Sequence, residues 1–462
     1  MITLQDLQAV GLDETARMDF VLKSIRKHTG SSEYMTAVNA DAYNRLENPT
    51  IRNFQKLLYT MTGRVVPDNY SANYKIASGF LHRFATQENQ YLLGNGVSFE
   101  NDTTKDRLGE DFDNQIIKAG INAILSSVSF GFFNLDHIQV FRYQEFVPIY
   151  DEENGALSAG IRFWQIDLKK PLRATLYEID GYTDYIWKDG VGEVVKEKRP
   201  YKISYSYSDA DGLEIYNGEN YPAFPIVPLW GNSRHESLLT GLQEQIDCYD
   251  LIKSGFANTV DEASIFYWTI QNAGGMDDVD LAQFVERMRT VHAATVEDSG
   301  ARAEAHTMDA PFESREKLLE RLEKDLYKDA MALDTEHIAS GATTATQIRA
   351  AYEPLNAKTD DFEYCVIDFI KGLLTVAGID DNPTFTRSMI VNTQEEIQTV
   401  LQAAQYLDDE YVTRKILTLL GDGDQADDVL KRMDEKDQER LTSSTSTVTD
   451  TDEPEGDDID EA

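Results

Sequence analysis

The side chains that could perform catalysis or bind a metal ion lack the spacing that such chemistry requires. His235-Glu236 begins like the His-Glu-x-x-His motif of zinc metalloproteases, but Leu239 occupies the position of the second histidine ligand. The sequence therefore predicts no catalytic residue, no metal site and no cofactor. No spacing typical of metal ligands occurs among the seven histidines, which are His28, His82, His137, His235, His292, His306 and His337.

Three short stretches resemble ligand-binding loops, but each lacks a residue that the corresponding motif requires. Gly94-Asn95-Gly96 lacks the third glycine of a dinucleotide-binding loop and follows a predicted helix instead of a strand, which favours a helix end and a turn. The acidic stretches 209–212 and 422–424 lack the downstream bidentate glutamate of a calcium-binding loop. Carboxylates are so numerous that a catalytic pair could lie among them, so a metal-dependent hydrolase stays open as an alternative.

The basic residues fall into two groups. Lys169-Lys170 and the stretch 196–199 lie at predicted turns, where solvated loops explain them without a ligand. Arg287, Arg289 and Arg302 lie together in a small segment between two predicted helices. These three arginines are candidates for contact with a partner, and ordinary surface charge is the alternative interpretation.

The overall charge excludes some function classes. The 462 residues include 81 Asp and Glu but only 43 Lys and Arg, for a formal charge of −38. Tight binding to nucleic acid needs basic groups that face phosphates, so a DNA-binding regulator is disfavoured. Only Cys248 and Cys365 are present, which excludes a disulfide framework, and both are predicted to be small buried residues. No signal peptide and no membrane span are visible, so a cytosolic product without membrane contact is expected.

The first half of the chain changes from a helical to a strand-like period. Apolar residues at steps of three and four predict helices over 70–93 and 111–129. Short stretches rich in aromatic and β-branched residues then alternate with turn residues. They predict an antiparallel meander, with strands at 146–150, 161–166, 173–179, 183–187 and 202–207.

Two long amphipathic helices enclose a small segment of mixed character. The first is predicted over 237–263, with Asp247 and Asp250 falling between its apolar positions, and the second over 312–333. The segment 264–311 between them is expected to project from one end of a helical stalk. A helical bundle with a surface insertion is the alternative.

A polar, helix-breaking stretch separates these helices from a further long helix. The helix is predicted over 345–379 with a kink at Pro354, and a strand at 384–391 and one or two helices from 393 to 420 follow it. The tail 442–462 carries eight acidic residues and no basic ones, so it is predicted to be disordered, and the remaining chain still has a charge of −30. The polar stretch consists of Asp334, Thr335, Glu336, His337, Ile338, Ala339, Ser340, Gly341, Ala342, Thr343 and Thr344.

Across about residues 20–440, this order of elements resembles the portal protein of tailed bacteriophages, in the family typical of phages with long, non-contractile tails. The early helix ends in Tyr-Leu-Leu-Gly, and a Pro-Ile-Tyr-Asp strand is followed by Ala-Gly-Ile-Arg-Phe. A Phe-Pro-Ile-Val-Pro-Leu stretch leads into a helix that contains Asp247, Asp250, Ser254 and Asn258. Ser340-Gly341 before the long helix and the stretch 391–396 resemble the family as well.

The resemblance implies an α+β fold, mainly α, with named parts. A wing of helices and an antiparallel meander would cover 1–236, with a returning strand in 380–392. Stem helices would be 237–263 and 312–333, and a small mixed α/β clip would be 264–311. The tunnel loop would be 334–344, followed by the long kinked helix at 345–379. A helical crown would span 393–441, before the disordered acidic tail.

The function implied by the resemblance is that of a portal rather than an enzyme. A homo-dodecamer would form a ring at the unique capsid vertex, as a channel for packaging and ejecting double-stranded DNA without sequence specificity. Its partners would be the terminase large subunit, the neck adaptor protein, the major capsid protein and a scaffold protein. Assembly would take place in the host cytoplasm, and the virion would hold the ring between capsid and tail. A non-portal scaffold protein is a further alternative.

Overall fold

The computed structural model describes residues 2–59, 63–68, 72–101, 103–207, 214–263, 267–271, 279, 283, 302–306, 312–335, 345–388 and 393–445. The chain divides into two compact units. The first unit comprises 1–333 and 354–388, and the second comprises 334–353 and 389–462.

The amino-terminal part of the first unit is mainly helical. Asp13 and Ser31 cap the second and third helices by accepting hydrogen bonds from backbone N–H groups, and Pro49 begins the fourth helix. The elements are α1 (Leu4–Val10), α2 (Glu14–Thr29), α3 (Ser32–Asn44), α4 (Pro49–Asn53), β1 (Leu57–Tyr59), β2 (Val65–Pro67), α5 (Phe80–Leu93), β3 (Val97–Phe99), α6 (Thr104–Leu108) and α7 (Phe112–Ser126).

The β-rich part follows directly. Its largest sheet is a five-stranded antiparallel meander in the order β10-β9-β8-β7-β6, and a three-stranded sheet has the order β13-β4-β5. The strands are β4 (Val128–Asn134), β5 (His137–Arg142), β6 (Phe146–Tyr150), β7 (Leu157–Trp164), β8 (Leu172–Glu178), β9 (Gly181–Lys188), β10 (Val191–Arg199), β11 (Lys202–Tyr207), β12 (Glu214–Glu219) and β13 (Ile226–Trp230). The predicted meander is confirmed for four of its five strands. The fifth predicted strand, 202–207, pairs instead with β12 in a separate two-stranded sheet, and Val191–Arg199, which had not been predicted, is the fifth strand of the meander.

The remaining elements include the three longest helices of the described chain. They are α8 (Gln243–Ala263), β14 (Tyr267–Gln271), β15 (Arg302–His306), α9 (Phe312–Asp329), α10 (Ala345–Ala377), β16 (Pro383–Phe385), α11 (Thr393–Ala403), α12 (Asp409–Leu420) and α13 (Ala426–Thr445). Pro354 lies inside α10, which continues through it. The class predicted from the sequence, α+β and mainly α, is confirmed.

Two apolar cores hold the first unit together. In the larger core, Phe362 and Phe369 of α10 are buried among side chains of α5, α7 and the three-stranded sheet. In the smaller core, Val21 and Ile25 of α2 pack with Ile161 and other inward-facing residues of the meander. Each helix therefore buries one apolar stripe, as its sequence period predicts.

The returning strand is shorter than predicted. Only Pro383–Phe385 is a strand, and it pairs antiparallel with β3, so that Thr384 lies opposite Ser98. Residues 386–388 are described but are not a strand, and 389–392 lie outside the described residues. The pairing brings the end of the long helix back to the amino-terminal part of the first unit.

Several predicted helix boundaries are wrong because tertiary contacts compete with the helical period. The helix predicted to start at residue 70 begins at Phe80, and the stem helix predicted from residue 237 begins at Gln243. In the second case, Ser237 donates a hydrogen bond to the carbonyl oxygen of Leu125 at 2.5 Å, and Gly241 has a φ of +94°. The helix predicted to reach residue 333 ends at Asp329.

The second unit is described from its own helices. Arg414 of α12 contacts Glu410 one turn earlier and Asp427 of α13 at 2.7 Å. Gly421, with a left-handed φ of +88°, ends α12, because glycine adopts this conformation without the steric penalty of a β-carbon. Helix α13 runs to Thr445, so the first residues of the predicted disordered tail are helical, and 446–462 lie outside the described residues.

Candidate functional site

The described part of the chain contains no group of three or more histidine, cysteine, aspartate or glutamate side chains placed to hold a metal ion. His235, from the incomplete protease-like motif, instead stacks on Trp230 with ring centroids 3.7 Å apart. None of the helices in the described ranges combines the length and apolar character that a membrane span requires.

The predicted site residues lie mostly outside the described residues. Of the polar stretch, Asp334 and Thr335 are described and follow the end of α9, whereas Glu336, His337, Ile338, Ala339, Ser340, Gly341, Ala342, Thr343 and Thr344 are not described. Arg287 and Arg289 also lie outside the described residues. Arg302 opens β15, where it pairs with Gln271 of β14. The roles of all these residues stay predictions.

The two helices that enclose 264–311 pack antiparallel to each other. Gln245, near the start of α8, donates a hydrogen bond to Asp329 at the end of α9, at 2.5 Å. Near the other end, Arg315 of α9 donates to the hydroxyl of Thr259 at 2.6 Å. The rings of Phe256 and Phe312 lie 5.7 Å apart at the same end. The chain therefore leaves for 264–311 and returns from it at one end of this helix pair.

A row of polar residues on α8 binds an extended segment of the amino-terminal part. The row, here called the polar stripe, consists of Asp250, Ser254 and Asn258, which are buried and spaced one helical turn apart. Their side-chain oxygens accept hydrogen bonds from the backbone N–H groups of Ser78 at 2.9 Å, Ile76 at 3.0 Å and Tyr74 at 2.7 Å, respectively.

This contact explains why residues 74–78 are extended and lie outside the helix that begins at Phe80. In an extended chain, alternate residues direct their N–H groups to the same side. The polar stripe supplies one acceptor for each of those N–H groups, in antiparallel order. A helix here would satisfy its own N–H groups and leave the three buried side chains of α8 without these donors, at a free-energy cost for each.

A second acid extends the stripe toward the first helices. The carboxylate of Asp247 accepts hydrogen bonds from the hydroxyl of Tyr43 at 2.5 Å, the hydroxyl of Thr50 at 2.9 Å and the amide of Asn48 at 2.9 Å. Asn48 also donates to Asp250 at 2.8 Å. The network therefore connects α3, α4, the extended segment and α8.

Burial and hydrogen bonding act against each other on Asp250. Burial raises the pKa of this carboxyl, because it disfavours the charged form, while the hydrogen bonds from Ser78 and Asn48 lower it. The pKa of Tyr43 is also raised, first by burial and then by its hydrogen bond to Asp247.

The long helix α10 is anchored by two sets of charged contacts. Lys358 forms an ion pair at 2.6 Å with Glu88 of α5, whose side chain is 3% exposed. Burial raises the pKa of Glu88, while Lys358 opposes that shift. Arg387 donates hydrogen bonds to Asp360 at 2.5 Å and Glu363 at 2.6 Å. These contacts connect α10 to an early helix and to the chain that follows the returning strand.

The sequence contains a pattern that indicates the polar stripe, but an analysis of apolar residues alone does not detect it. Asp250 falls between apolar positions and reads as a water-facing residue. Its recurrence with Ser254 and Asn258 at four-residue steps, however, places three hydrogen-bonding side chains on one face of the helix. A polar row on a helix that also has an apolar row indicates buried polar contacts, but its partner segment is not visible in the sequence.

Long helices held by buried polar contacts, together with an antiparallel meander, define the fold class of this chain as α+β. Residues 40–442 match the family model described as "Phage portal protein, SPP1 Gp6-like". Because the match covers most of the sequence, the chain belongs to this family of phage portal proteins. The resemblance noted in the sequence is thereby confirmed.

Two relatives are named as portal proteins. That of Clostridium phage phiCD119 is 23% identical over 379 residues, covering 74% of this chain and 81% of the relative. That of Bacillus phage SPP1 is 25% identical over 384 residues, covering 75% of this chain and 73% of the relative.

Solved structures of gene transfer agent particles are also similar to this chain. The neck of an empty particle at C6 symmetry gives a TM-score of 0.43 at 11% identity, covering 74% of this chain and 90% of the matched chain. The neck of a native particle at C12 symmetry gives a TM-score of 0.43 at 11% identity, covering 73% and 89%, respectively.

Proposed function

We propose that this chain assembles into a ring of twelve copies at a single vertex of a phage capsid, where the central channel conducts double-stranded DNA during packaging and ejection. The family match over residues 40–442 carries the proposal. The antiparallel pair of α8 and α9 supports it, because a long helix pair can line a channel while its remaining faces contact neighbouring copies.

We assign the named parts of a portal subunit to this chain as part of the same proposal. Residues 1–236 and the returning strand within 380–392 form the wing. Helices within 237–263 and 312–333 form the stem, and 264–311 form the clip at its end. Residues 334–344 form the tunnel loop, 345–379 the long helix after it, and 393–441 the crown. In this proposal the disordered acidic segment is shortened to 446–462, because α13 continues to Thr445.

The acidity of the chain suits a channel through which DNA slides. Phosphates bind tightly to clusters of Lys and Arg, and such sites would hold DNA in place. A chain with a charge of −38 offers few of them. In the tunnel loop, the small residues Ala339, Ser340, Gly341 and Ala342 would allow close approach of DNA without strong base contacts.

Substitution of Glu336 tests whether the negative charge of the tunnel loop helps DNA to slide through the channel. Glu336→Lys should slow DNA packaging or increase DNA retention, because it adds a basic group that can bind phosphate. Glu336→Gln, which removes the negative charge without adding a positive one, is the matched control and should change both quantities less. Packaging and retention unchanged by Glu336→Lys would contradict a role for this residue.

The clip is the proposed docking site for the terminase large subunit and later for the neck adaptor protein. Replacing Arg287, Arg289 and Arg302 together by alanine should weaken binding of both partners to assembled rings. Replacing the exposed Arg45, Arg234 and Arg321, which lie outside the clip and have only surface ion pairs, removes the same charge as a control. Equal binding by the two triple variants would contradict a clip contact through these arginines.

Electron microscopy of the purified full chain, combined with mass photometry, tests the ring itself. Rings with a central hole and about a dozen subunits are expected, and incorporation at one vertex should require the major capsid protein and the scaffold protein. Because ATP hydrolysis belongs to the terminase in this proposal, the pure protein should hydrolyse no ATP. Metal-dependent turnover by a compact monomer would favour the hydrolase alternative, and elongated non-ring particles would favour a scaffold protein.

A further inference from the structure

A cavity with an aromatic wall lies in the first unit, where the end of α2, the start of α3, β6 and β13 meet. Its volume is about 400 Å³, which is within the range of pockets that hold small ligands. The rings of Tyr143, Tyr150 and Trp230 form part of its wall. This cavity is here called the aromatic pocket. Its aliphatic lining consists of Ile2, Val128, Val147 and Pro148.

Four polar side chains on the wall of the aromatic pocket have hydrogen-bonding capacity that the rest of the fold does not use. The hydroxyls of Ser127 and Tyr150 and the ring nitrogens of His235 make no side-chain hydrogen bond to any described residue. The fourth side chain, His28, uses one of its two ring nitrogens. Buried and half-buried polar groups normally find partners, so four groups that converge on one cavity indicate a ligand that supplies them.

His28 contributes a buried acceptor to the aromatic pocket. The residue is only 6% exposed. Its Nε2 donates a hydrogen bond to the carbonyl oxygen of Tyr143 at 2.9 Å, because a carbonyl oxygen can only accept. Burial lowers the pKa of His28, which keeps the ring neutral near pH 7. In this neutral ring the second nitrogen, Nδ1, is an acceptor, and an N–H group in the pocket would satisfy it.

Two residues of the wall adopt backbone conformations that favour glycine. Ser127, which follows the end of α7, has a φ of +70°, and His235 has a φ of +57°. A β-carbon carries a steric penalty in this region, and glycine is the usual residue after a helix end. The backbone therefore gives no reason for serine or histidine here. Both side chains line the same cavity, which indicates that they are needed for binding there.

The shape and charge of the aromatic pocket define the class of ligand that fits it. His235 stacks on Trp230 with ring centroids 3.7 Å apart, so the wall offers aromatic surface on which a planar ring can pack. Lys27 and Glu33, which are exposed at the rim, have opposite charges and favour a neutral ligand. An indole is mainly apolar and has a single N–H donor, which matches the aliphatic lining and the one buried acceptor.

We propose that the aromatic pocket binds a neutral planar ring with one N–H donor, and that its occupant is a tryptophan side chain of a partner protein. The indole packs on the aromatic wall, and its N–H donates a hydrogen bond to Nδ1 of His28. The proposal goes beyond the proposed channel function and does not depend on the ring, because the whole pocket lies within one copy.

Calorimetric titration of the full chain with N-acetyl-L-tryptophanamide tests the site directly. A ligand of this size should bind with a dissociation constant of roughly 0.1–1 mM at neutral pH. The derivative methylated at the indole nitrogen lacks the N–H donor and should bind about tenfold more weakly, as should N-acetyl-L-leucinamide, which lacks the ring.

The titration has two results that would overturn the proposal. The first is equal binding of the tryptophan probe and its N-methylated derivative, or no binding of either probe up to about 10 mM. The second is tighter binding of adenosine than of the tryptophan probe, which would identify the pocket as a site for a nucleoside instead of an indole.

Glycine substitutions in the wall separate binding from folding. Ser127→Gly relieves the backbone while it removes the hydroxyl, so it should unfold at the same or a higher temperature yet bind the tryptophan probe about tenfold more weakly. His235→Gly should weaken binding to a similar extent. Asp189→Gly is the matched control, because Asp189 has a φ of +51° in a turn and does not line the pocket.

The control should unfold at the same or a higher temperature and should change the affinity for the probe by less than about twofold. Wild-type affinity in both Ser127→Gly and His235→Gly would overturn the assignment of these two side chains and, with it, the proposed site. A lower unfolding temperature of Ser127→Gly would contradict the argument that serine is present at a cost to the fold.

Discussion

The carboxylate of Asp250 accepts a hydrogen bond at 2.9 Å from the backbone N–H of Ser78, which lies 172 positions earlier in the chain. Neither Asp250 nor the neighbouring Ser254 and Asn258 of the polar stripe is exposed to solvent. Each binds a backbone N–H group of one extended segment. Helix α8 is thereby fixed to the amino-terminal part of the first unit by side-chain acceptors rather than by apolar packing alone.

Removal of this acceptor should destabilise the chain. Asp250→Ala leaves the N–H of Ser78 and the amide of Asn48 without their partner in a buried environment, where each unsatisfied donor costs about 1–3 kcal/mol. We expect a loss of about 2–4 kcal/mol in the free energy of unfolding, measured by urea denaturation of the unassembled chain.

Two further variants make the Asp250 experiment specific. Asp250→Asn keeps an acceptor for Ser78 and should lose less than Asp250→Ala. Glu244→Ala removes an exposed acid from the same helix and should change the stability by less than about 0.5 kcal/mol. A loss in Asp250→Ala no greater than that in Glu244→Ala would show that the polar stripe does not stabilise the fold.

The buried His28 should make the stability depend on pH. Its ring nitrogen Nε2 lies 2.9 Å from the carbonyl oxygen of Tyr143, and its ring contacts the rings of Tyr34, Tyr143 and Phe163. Burial lowers the pKa of His28, while the Tyr143 carbonyl and the charge of Glu33 oppose that shift. In the unfolded chain His28 has the ordinary histidine pKa of about 6.5. Between that pH and the lowered pKa of the folded chain, the unfolded chain therefore carries more bound protons than the folded chain does.

The stabilisation by neutral His28 is therefore complete above about pH 6.5 and is lost as the pH falls toward the lowered folded pKa. Relative to His28→Gln, the wild-type chain should lose up to about 1.4 kcal/mol per pH unit in this window. Urea denaturation between pH 7.5 and pH 5 measures both chains, and contributions of groups that do not interact with His28 cancel in the difference. Parallel stability curves for the two chains would contradict the prediction.

Replacing two glycines by alanine, one at a time, should change the stability of the chain in opposite directions. A β-carbon on Gly131 of β4 would lie 2.5 Å from the ring of Phe369 of α10, so Gly131→Ala should cost about 1–3 kcal/mol by overpacking. Gly255 lies inside α8, and apart from its chain neighbours and the nearby backbone of α8 no described atom lies within 4 Å of such a β-carbon, so Gly255→Ala should stabilise the unassembled chain by about 0.5–1 kcal/mol. Thermal unfolding of both variants measures the signs. A Gly131→Ala chain as stable as the wild type would contradict the packing described for Phe369, and a destabilised Gly255→Ala chain would contradict the open space described at Gly255.

The two cysteines should react at very different rates. Both were predicted to be buried, which is wrong for Cys248, because it is exposed on α8, whereas Cys365 is half-buried. Burial, with the nearby charges of Asp361 and Asp368, raises the pKa of Cys365 to about 11. Very little Cys365 is then a thiolate at pH 7.5, and the thiolate is the reactive form.

A thiol reagent at pH 7.5 should therefore modify one cysteine of the unassembled chain quickly and the other slowly. Cys248→Ser should remove the fast phase, and Cys365→Ala should remove the slow phase. If the proposed ring covers this face of α8, assembly should also slow the fast phase. Two equal rates in the unassembled chain would contradict the exposures found here.

Residue periodicity alone predicted much of the element order. The strands at 146–150 and 202–207 have the predicted bounds, and the long helix predicted over 345–379 runs from Ala345 to Ala377. These elements are predictable because each buries one face against a core, and the spacing of apolar residues records which face that is. The family resemblance was also readable, since it rested on short motifs within these elements.

Only the tertiary structure shows where the chain does not form the helix or strand that the spacing of its apolar residues predicts. The spacing of apolar residues is compatible with a helix from residue 70, yet residues 74–78 are extended. The N–H groups of Tyr74, Ile76 and Ser78 find side-chain acceptors on a helix almost two hundred residues later. The polar stripe was present in the sequence as a four-residue repeat, but its partner was not. Local sequence determines which face a residue occupies, whereas the partner of a buried polar group depends on which distant segment the fold brings to it.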